Sequence, residues 1–96
     1  MRIDITARHF SPSDQLKELV HIKINKLKKF NYGILNCHVI LIKENSVESV
    51  EIICHVKGHE FIAHEQTVSF EKSLINAIGK IAIQAKKYHK KLISYK

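Results

Sequence analysis

The feature that most constrains the fold is the way hydrophobic periodicity changes along the chain. Residues 2–8 (RIDITAR) alternate strictly between apolar and polar side chains, which predicts a half-buried strand. Apolar residues then recur at helical spacing as far as Phe30, and three strand-like segments follow. A second helical segment begins at Ser69 and occupies most of the remaining chain. The predicted order of elements is therefore βαβββα.

The first helical segment carries a start signal and a stop signal. Ser11 is expected to cap the N-terminus, with Pro12 at the first helical position and Asp14 in the first turn. Residues 31–33 (NYG) are expected to end the helix. Helical spacing assigns a buried stripe to Leu16, Leu19, Val20, Ile24, Leu27 and Phe30.

The strands and the second helix are predicted from the same kind of pattern. The three strands, joined by short turns, are expected over residues 34–43, 50–57 and 60–67. The second helix has its own apolar stripe, formed by Leu74, Ile78, Ile81, Ala85, Tyr88 and Leu92. Gly79 lies inside this helix, where a glycine costs about 1 kcal/mol relative to alanine.

This order of elements predicts an α+β fold in which residues 1–96 form a single domain. A helical crossover joins the first two strands, so these strands should be parallel, whereas short turns make the later strands antiparallel. The result is a four-stranded mixed sheet with both helices on one face. The two helices should run parallel, so that their C-terminal ends meet at the same end of the domain.

The positive charge is concentrated where those helix ends should meet. The chain has 16 Lys and Arg against 9 Asp and Glu, a formal net charge of +7. Residues 69–96 contain seven Lys and one Glu, whereas residues 1–68 contain nine basic and eight acidic residues. Eight lysines lie in the later turns of the two helices: Lys23, Lys26, Lys28, Lys29, Lys86, Lys87, Lys90 and Lys91.

Two ordinary explanations account for part of this charge. Lysines near a helix C-terminus stabilise its dipole by about 0.3–1 kcal/mol each, and a net charge keeps a small domain in solution. These effects explain one or two lysines per helix, but eight on converging ends repel each other unless an anion lies between them. The charge therefore indicates a polyanionic partner, which could be RNA, DNA or an anionic membrane surface.

The second helix also aligns its polar residues. At about 100° per residue, Lys80, Gln84, Lys87 and Lys91 fall in one narrow stripe away from the apolar face. Such a stripe could follow successive phosphates, because lysine favours backbone contacts over base recognition. Lys23 instead falls within the apolar stripe of the first helix. It either extends its amine to solvent from an apolar site or emerges between the two helices toward the same anion.

Other residue types give weaker signals. Seven histidines and two cysteines match no zinc-binding spacing, so no metal or cofactor is expected. Cys37 and Cys54 are expected to be buried thiols in a reducing cytosol. No signal peptide or membrane span is predicted. No phosphate-binding loop or nucleophile–base pattern is predicted either, so we expect neither an enzyme nor a small-molecule substrate. Outward-facing Ile40, Ile42, Ile53 and Ile62 would support weak self-association if they form one patch.

Four segments carry a resemblance to a known family: Ile3-x-Ile5-x-Ala7, Leu16-x-Glu18-x-Val20-x-x-Lys23-x-x-Lys26-Leu27, His55-Val56-x-Gly58, and Ile78-x-Lys80-Ile81-Ala82-x-Gln84-x-x-Lys87 with Lys91-Leu92. In this order and length the chain resembles the short form of the ribosome hibernation promoting factor family. That family is also called ribosome-associated inhibitor, protein Y or sigma-54 modulation protein.

The resemblance implies a double-stranded-RNA-binding-like fold in a bacterial, cytoplasmic protein. It implies binding to rRNA of the small ribosomal subunit in the channel for mRNA and tRNA, which would block translation during stress or stationary phase. The rRNA-facing lysines would be Lys23, Lys26, Lys80, Lys87 and Lys91.

The chain departs from the family pattern at three places in the second helix. Ser69-Phe70 replace an acidic-aromatic start, and Ile83 replaces an arginine, for which Lys86 or Lys90 would compensate. His89 stands where a lysine is common, so a contact there would depend on pH. The candidate RNA-binding set is Lys23, Lys26, Lys80, Gln84, Lys86, Lys87, Lys90 and Lys91. The alternatives are modulation of a transcription factor through protein–protein contacts and generic binding to duplex RNA.

Overall fold

The computed structural model describes the backbone of residues 1–30 and 32–94, and side-chain environments as far as Lys91. The order βαβββα is confirmed. The elements are β1 (Arg2–Arg8), α1 (Asp14–Asn25), a 3-10 helix (Lys26–Phe30), β2 (Asn36–Glu44), β3 (Val47–Val56), β4 (His59–Thr67) and α2 (Phe70–Ser94). The predicted stop residue Asn31 and the side chain of Leu92, which was predicted to be in the core, lie outside what is described.

The four strands form one mixed sheet in the order β1-β2-β3-β4. β1 pairs with β2 in parallel, with Ile5 opposite Val39. β2–β3 and β3–β4 are antiparallel, with Cys37 opposite Cys54 and Ile52 opposite Ala63. The two connecting turns use positive backbone φ angles, 55° at Asn45 and 77° at Gly58. Glycine adopts such an angle without steric cost. The predicted crossover and hairpins are both confirmed.

Contacts between aromatic rings show that the two helices run in the same direction. Phe10, just before α1, stacks on Phe70 at the start of α2, with ring centroids 5.0 Å apart. Tyr32, after the 3-10 helix, contacts His89 near the end of α2 at 6.2 Å. The starts of the helices are therefore together, and so are their C-terminal ends.

The core lies between the helices and one face of the sheet. Alternate residues of the three later strands point into it, and each large aliphatic side chain that it fully buries contributes about 1.5–3 kcal/mol. The sheet contributes Cys37, Val39, Leu41, Val50, Ile52, Cys54, Phe61 and Ala63, and the helices contribute Val20, Ile24, Leu27, Leu74, Ala77, Ile81 and Ala85.

The start of the first helix differs from the prediction. Ser13 is the N-cap, and its hydroxyl accepts a hydrogen bond from the Leu16 amide at 3.1 Å. Ser11 and Ser13 are chemically equivalent caps, so only the backbone conformation decides between them. The helix begins two residues later than a cap at Ser11 would place it, and Asp14 still lies in the first turn.

The end of the first helix also differs. The α-helix stops at Asn25, because the Lys26 amide bonds the carbonyl of Lys23, three residues back. In the 3-10 helix that follows, residues three apart eclipse each other. Leu27 still reaches the core, but Phe30 lies a turn farther on, where it is 45% exposed. The prediction that Phe30 is buried was wrong. Within the described residues, no helix combines the length and apolar character needed to cross a membrane.

Candidate nucleic-acid interface

α2 faces the sheet along one line and presents three other surfaces. Its buried line runs through Leu74, Ala77 and Ile81. Moving around the helix at about 100° per residue, one flank lies toward β4, the opposite flank lies toward α1, and a crest between them faces solvent. Exposed Asn76, Gly79, Ile83 and Lys90 lie on this crest.

The flank toward β4 carries the predicted polar stripe of Lys80, Gln84, Lys87 and Lys91, which we call the β4-flank row. Gln84 fixes the position of this row. Its side-chain nitrogen donates to the Ile62 carbonyl at 2.7 Å, and its side-chain oxygen accepts from the Ile62 amide at 3.1 Å. β4 is an edge strand of the sheet, so Gln84 forms hydrogen bonds with backbone groups that no neighbouring strand pairs with. A contact between Gln84 and RNA stays a prediction.

Lys80 also contacts β4. Its ammonium forms an ion pair with the carboxylate of Glu65, whose side chain is only 19% exposed, whereas that of Lys80 is 55% exposed. An ion pair of this exposure is weak, typically up to about 1 kcal/mol. A phosphate that binds Lys80 would compete with Glu65 for the same ammonium.

The opposite flank forms a groove with α1. Lys23 and Lys26 from α1 and the 3-10 helix, and Ile75 and Ile78 from α2, line a groove of about 170 Å³. Lys23 is half-buried there, so it lies at the seam between the helices. Lys86 lies on the same line of α2 as Ile75, because eleven residues make about three full turns. We call Lys23, Lys26 and Lys86 the seam row.

The candidate lysines therefore lie in two rows, one on each flank of α2, with Lys90 on the crest between them. Periodicity shows that Lys80 and Lys87 share a face of α2, but only the packing shows that this face adjoins β4. The crest separates the two rows by the width of a helix, about 10 Å with side chains.

The open face of the sheet has a different character. Three histidines lie there, and two are paired: His38 with the Thr6 hydroxyl at 2.8 Å, and His55 with the Glu60 carboxylate at 3.0 Å. The register places Ile53 opposite Ile62, which is 50% exposed, whereas Ile40 is buried. Self-association through this face stays a prediction.

The two cysteines lie in the core and not in a site. Cys37 and Cys54 are direct cross-strand neighbours, both buried and both free thiols. The hydrogen bond with Cys37, together with burial, raises the pKa of the Cys54 thiol far above its ordinary range, so Cys54 stays a neutral thiol. Across residues 1–30 and 32–94, no group of three His, Cys, Asp or Glu side chains could hold a metal ion.

Comparison with solved structures supports this architecture. A ribosomal subunit interface protein from Coxiella burnetii superposes with a TM-score of 0.86 at 22% identity, over 94% of this chain and 99% of that chain. The N-terminal domain of Protein Y from Thermus thermophilus superposes with a TM-score of 0.84 at 20% identity, over 92% of this chain and 99% of that chain. The comparison with curated proteins gives no match. At these identities the two structures show the fold alone.

The family follows from the sequence match. Residues 3–93 match the family described as sigma 54 modulation protein / S30EA ribosomal protein. The match spans every helix and strand except the first residue of β1 and the last residue of α2, and it confirms the resemblance to the hibernation promoting factors. The chain belongs to the sigma 54 modulation protein / S30EA ribosomal protein family.

Proposed function

We propose that this protein is a ribosome hibernation factor of the cytoplasm. It binds rRNA of the small ribosomal subunit through its helices and blocks translation by occupying the channel for mRNA and tRNA during stress or stationary phase. Family membership supports the ribosome as the partner, as does the structural likeness to the Coxiella burnetii protein, which is a ribosomal subunit interface protein. The proposal requires no catalytic group and no cofactor.

The observation that carries the proposal is the pair of lysine rows on either side of α2. No Asp or Glu occurs in residues 19–43 or 72–96, so the later turns of both helices carry only positive charge. Phosphates along two backbone segments could contact the seam row and the β4-flank row at the same time. Because lysine is a point charge, these contacts would position the protein on RNA without reading its sequence.

A second function from a different class has one observation in its favour. The family description includes sigma 54 modulation, and the open sheet face exposes Ile62 beside Ile53. A protein–protein function would use that face and would be insensitive to the lysines of α2. Generic duplex-RNA binding would use the same lysines but would not prefer the ribosome.

Sedimentation with purified small ribosomal subunits at low salt tests the proposal. The wild-type protein should comigrate with the subunits, and the double variant Lys87→Glu, Lys91→Glu should stay at the top of the gradient because it reverses two charges of the β4-flank row. The matched control is Lys17→Glu, Lys72→Glu, which makes the same charge change near the starts of the two helices. This control should still comigrate.

Three outcomes separate the candidates. Wild-type protein that stays at the top of the gradient argues against the ribosome as partner. Equal loss of binding in both double variants would mean that total charge matters and the β4-flank row does not. A wild-type protein that prefers a random RNA duplex over small subunits is a generic duplex binder. Circular dichroism should show that both double variants remain folded.

A further inference from the structure

Aromatic rings form a chain at the C-terminal ends of the helices, and the lysine rows do not account for it. Phe30 stacks on Tyr32 with centroids 5.3 Å apart and planes 14° from parallel. Tyr32 then contacts His89 at 6.2 Å. Nearby, His59 stacks on Tyr88 at 4.5 Å, and both pack edge-on against buried Phe61. Phe30, Tyr32 and His89 therefore form one chain of rings, and His59, Tyr88 and Phe61 form a second group that reaches the core.

Phe30 is the outer end of this chain. It is 45% exposed, although the side chain three residues before it, Leu27, is buried in the core. The fold thus leaves a large apolar ring at the surface while holding its orientation through the stacked partner Tyr32. The Lys29 ammonium lies 5.1 Å from the ring centroid. Such an exposed cation–π contact is weaker than stacking of a nucleobase on an aromatic ring, so a base could displace it.

A cleft opens beside the second ring. It has a volume of about 190 Å³ and is lined by Met1, Leu27, Lys28, Tyr32, Gly33 and Ile34. Polar and apolar surface line it in about equal parts, and Lys28 supplies a positive charge. Gly33 has a φ angle of 73°, and a Cβ atom built there would meet nothing within 4 Å. The glycine thus forms the turn and leaves the mouth of the cleft without a side chain.

The lysines and the stacked rings around the cleft favour a ligand that is negatively charged and has a flat apolar part. Lys29 lies over the Phe30 ring and Lys28 lines the cleft with Tyr32. Lys86 and Lys90 lie on the neighbouring end of α2, which the Tyr32–His89 contact brings close. A carboxylate would satisfy the lysines but would not use the rings, and a lipid chain would not use the stacked planes. Exposed rings among cations are typical of sites for unpaired nucleotides.

We propose that the Phe30–Tyr32 pair and the adjoining cleft bind one unpaired base of RNA. The base stacks on the exposed ring of Phe30, while Lys28 and Lys29 contact the phosphates on either side of it. This inference rests on the proposed function and makes it more specific. The lysine rows hold the RNA backbone, and the ring pair selects a site where a single-stranded nucleotide lies next to a structured segment.

Substitution of Phe30 separates stacking from charge. Phe30→Leu keeps an apolar side chain but removes the ring, whereas Phe30→Tyr keeps the ring. Phe30→Leu should bind small subunits about tenfold more weakly, and Phe30→Tyr should bind like the wild type. Because no phosphate contact is lost, the slope of log affinity against log salt should not change in either variant. Phe10→Leu removes one ring from the stacked pair at the opposite end and serves as the control.

The outcomes differ from those of the lysine test. Wild-type binding by Phe30→Leu overturns the base-binding site and leaves the proposed function intact. A weaker affinity with a smaller salt slope also overturns it, because that result means that the substitution disturbed the lysines. Equal weakening in Phe10→Leu would show that general stability is responsible, and thermal melting of each variant measures that stability directly.

A direct probe needs no ribosome. In an NMR titration with a single-stranded hexamer of uridine or adenosine, the ring protons of Phe30 and Tyr32 should shift, and those of Phe10 should not. A blunt RNA duplex of the same length should leave the Phe30 ring unchanged. Absence of ring shifts with both single strands overturns the site even if ribosome binding is normal. Subunits free of mRNA, compared with subunits carrying a short mRNA, then show whether the base belongs to rRNA or to mRNA.

Discussion

The side-chain amide of Gln84 bonds both backbone groups of Ile62, so its first effect is on the edge of the sheet. Edge strands expose unpaired amides and carbonyls that favour pairing with other chains. Gln84 covers one such pair, and the Lys80–Glu65 ion pair lies one turn earlier on the same flank of α2. These contacts hold α2 against β4 and thereby orient the β4-flank row.

Gln84→Ala should lower the free energy of unfolding by about 1 kcal/mol, since each net hydrogen bond contributes about 0.5–1.5 kcal/mol and water can replace part of it. The amide of Ile62 should exchange faster with solvent, which hydrogen-exchange NMR would detect at that one residue. Asn76→Ala, on the crest of the same helix, is the control and should change stability by less than about 0.5 kcal/mol. Unchanged exchange at Ile62 would mean that the two hydrogen bonds do not persist in solution.

The residue types of the candidate interface could be read from the sequence, but not all of their surroundings. Lysine spacing on α2 was sufficient to group Lys80, Gln84 and Lys87 on one face. The pairing of Lys80 with Glu65 depends on where β4 lies, and no local pattern encodes that position. The same holds for Ser11 and Ser13, because either serine can cap the helix and only the backbone conformation selects Ser13.

At the scale of elements, the helices and strands were predictable because each buries one face with its own period. The conversion of α1 into a 3-10 helix was not predictable, since the segment KLKKF has ordinary helix formers and no breaking residue. Phe30 is the last residue of this segment and is exposed, so the proposed base-binding site lies on the least predictable part of the helix. The observed strand ends differ from the predicted ends by up to three residues. For example, pairing with neighbouring strands extends the start of β3 back to Val47.

α2 gives a clear prediction at this scale. Gly79 is exposed in the middle of a regular helix, and a Cβ atom added there would meet nothing within 4 Å. Gly79→Ala should therefore raise the free energy of unfolding by about 1 kcal/mol, the difference in helix propensity between the two residues. Chemical denaturation measures the change. A matched change at Gly58, where φ is 77°, should destabilise the protein instead, because alanine is strained at that angle.

At the scale of the whole molecule, the topology brings the lysines of two distant helical segments together on one surface. The parallel helices and their common face were predicted from the crossover and the hairpins, and they bring two lysine-rich helix ends together. The arrangement into two rows was not predicted, since it depends on how α2 rotates about its own axis against β4 and α1. The open sheet face has paired histidines and acids, so the surplus of positive charge belongs to the helix layer.

The two-row arrangement predicts how salt should affect binding to small subunits. Each lysine that contacts a phosphate contributes about one unit to the slope of log affinity against log salt. Lys23→Ala, Lys26→Ala in the seam row should lower the slope by about two, and Lys87→Ala, Lys91→Ala in the β4-flank row should lower it by about the same amount. Combining the pairs should add the two effects, because the rows lie on opposite flanks of α2.

The comparison of slopes distinguishes RNA held on both sides of α2 from RNA held on one side. If only one row contacts RNA, one of the alanine pairs will leave the slope unchanged while the other lowers it. Lys17→Ala, Lys72→Ala changes the net charge by the same amount at the starts of the helices and should leave the slope near its wild-type value. A smaller slope in this control would show that binding follows total charge, and the separate rows would then have no place in the mechanism.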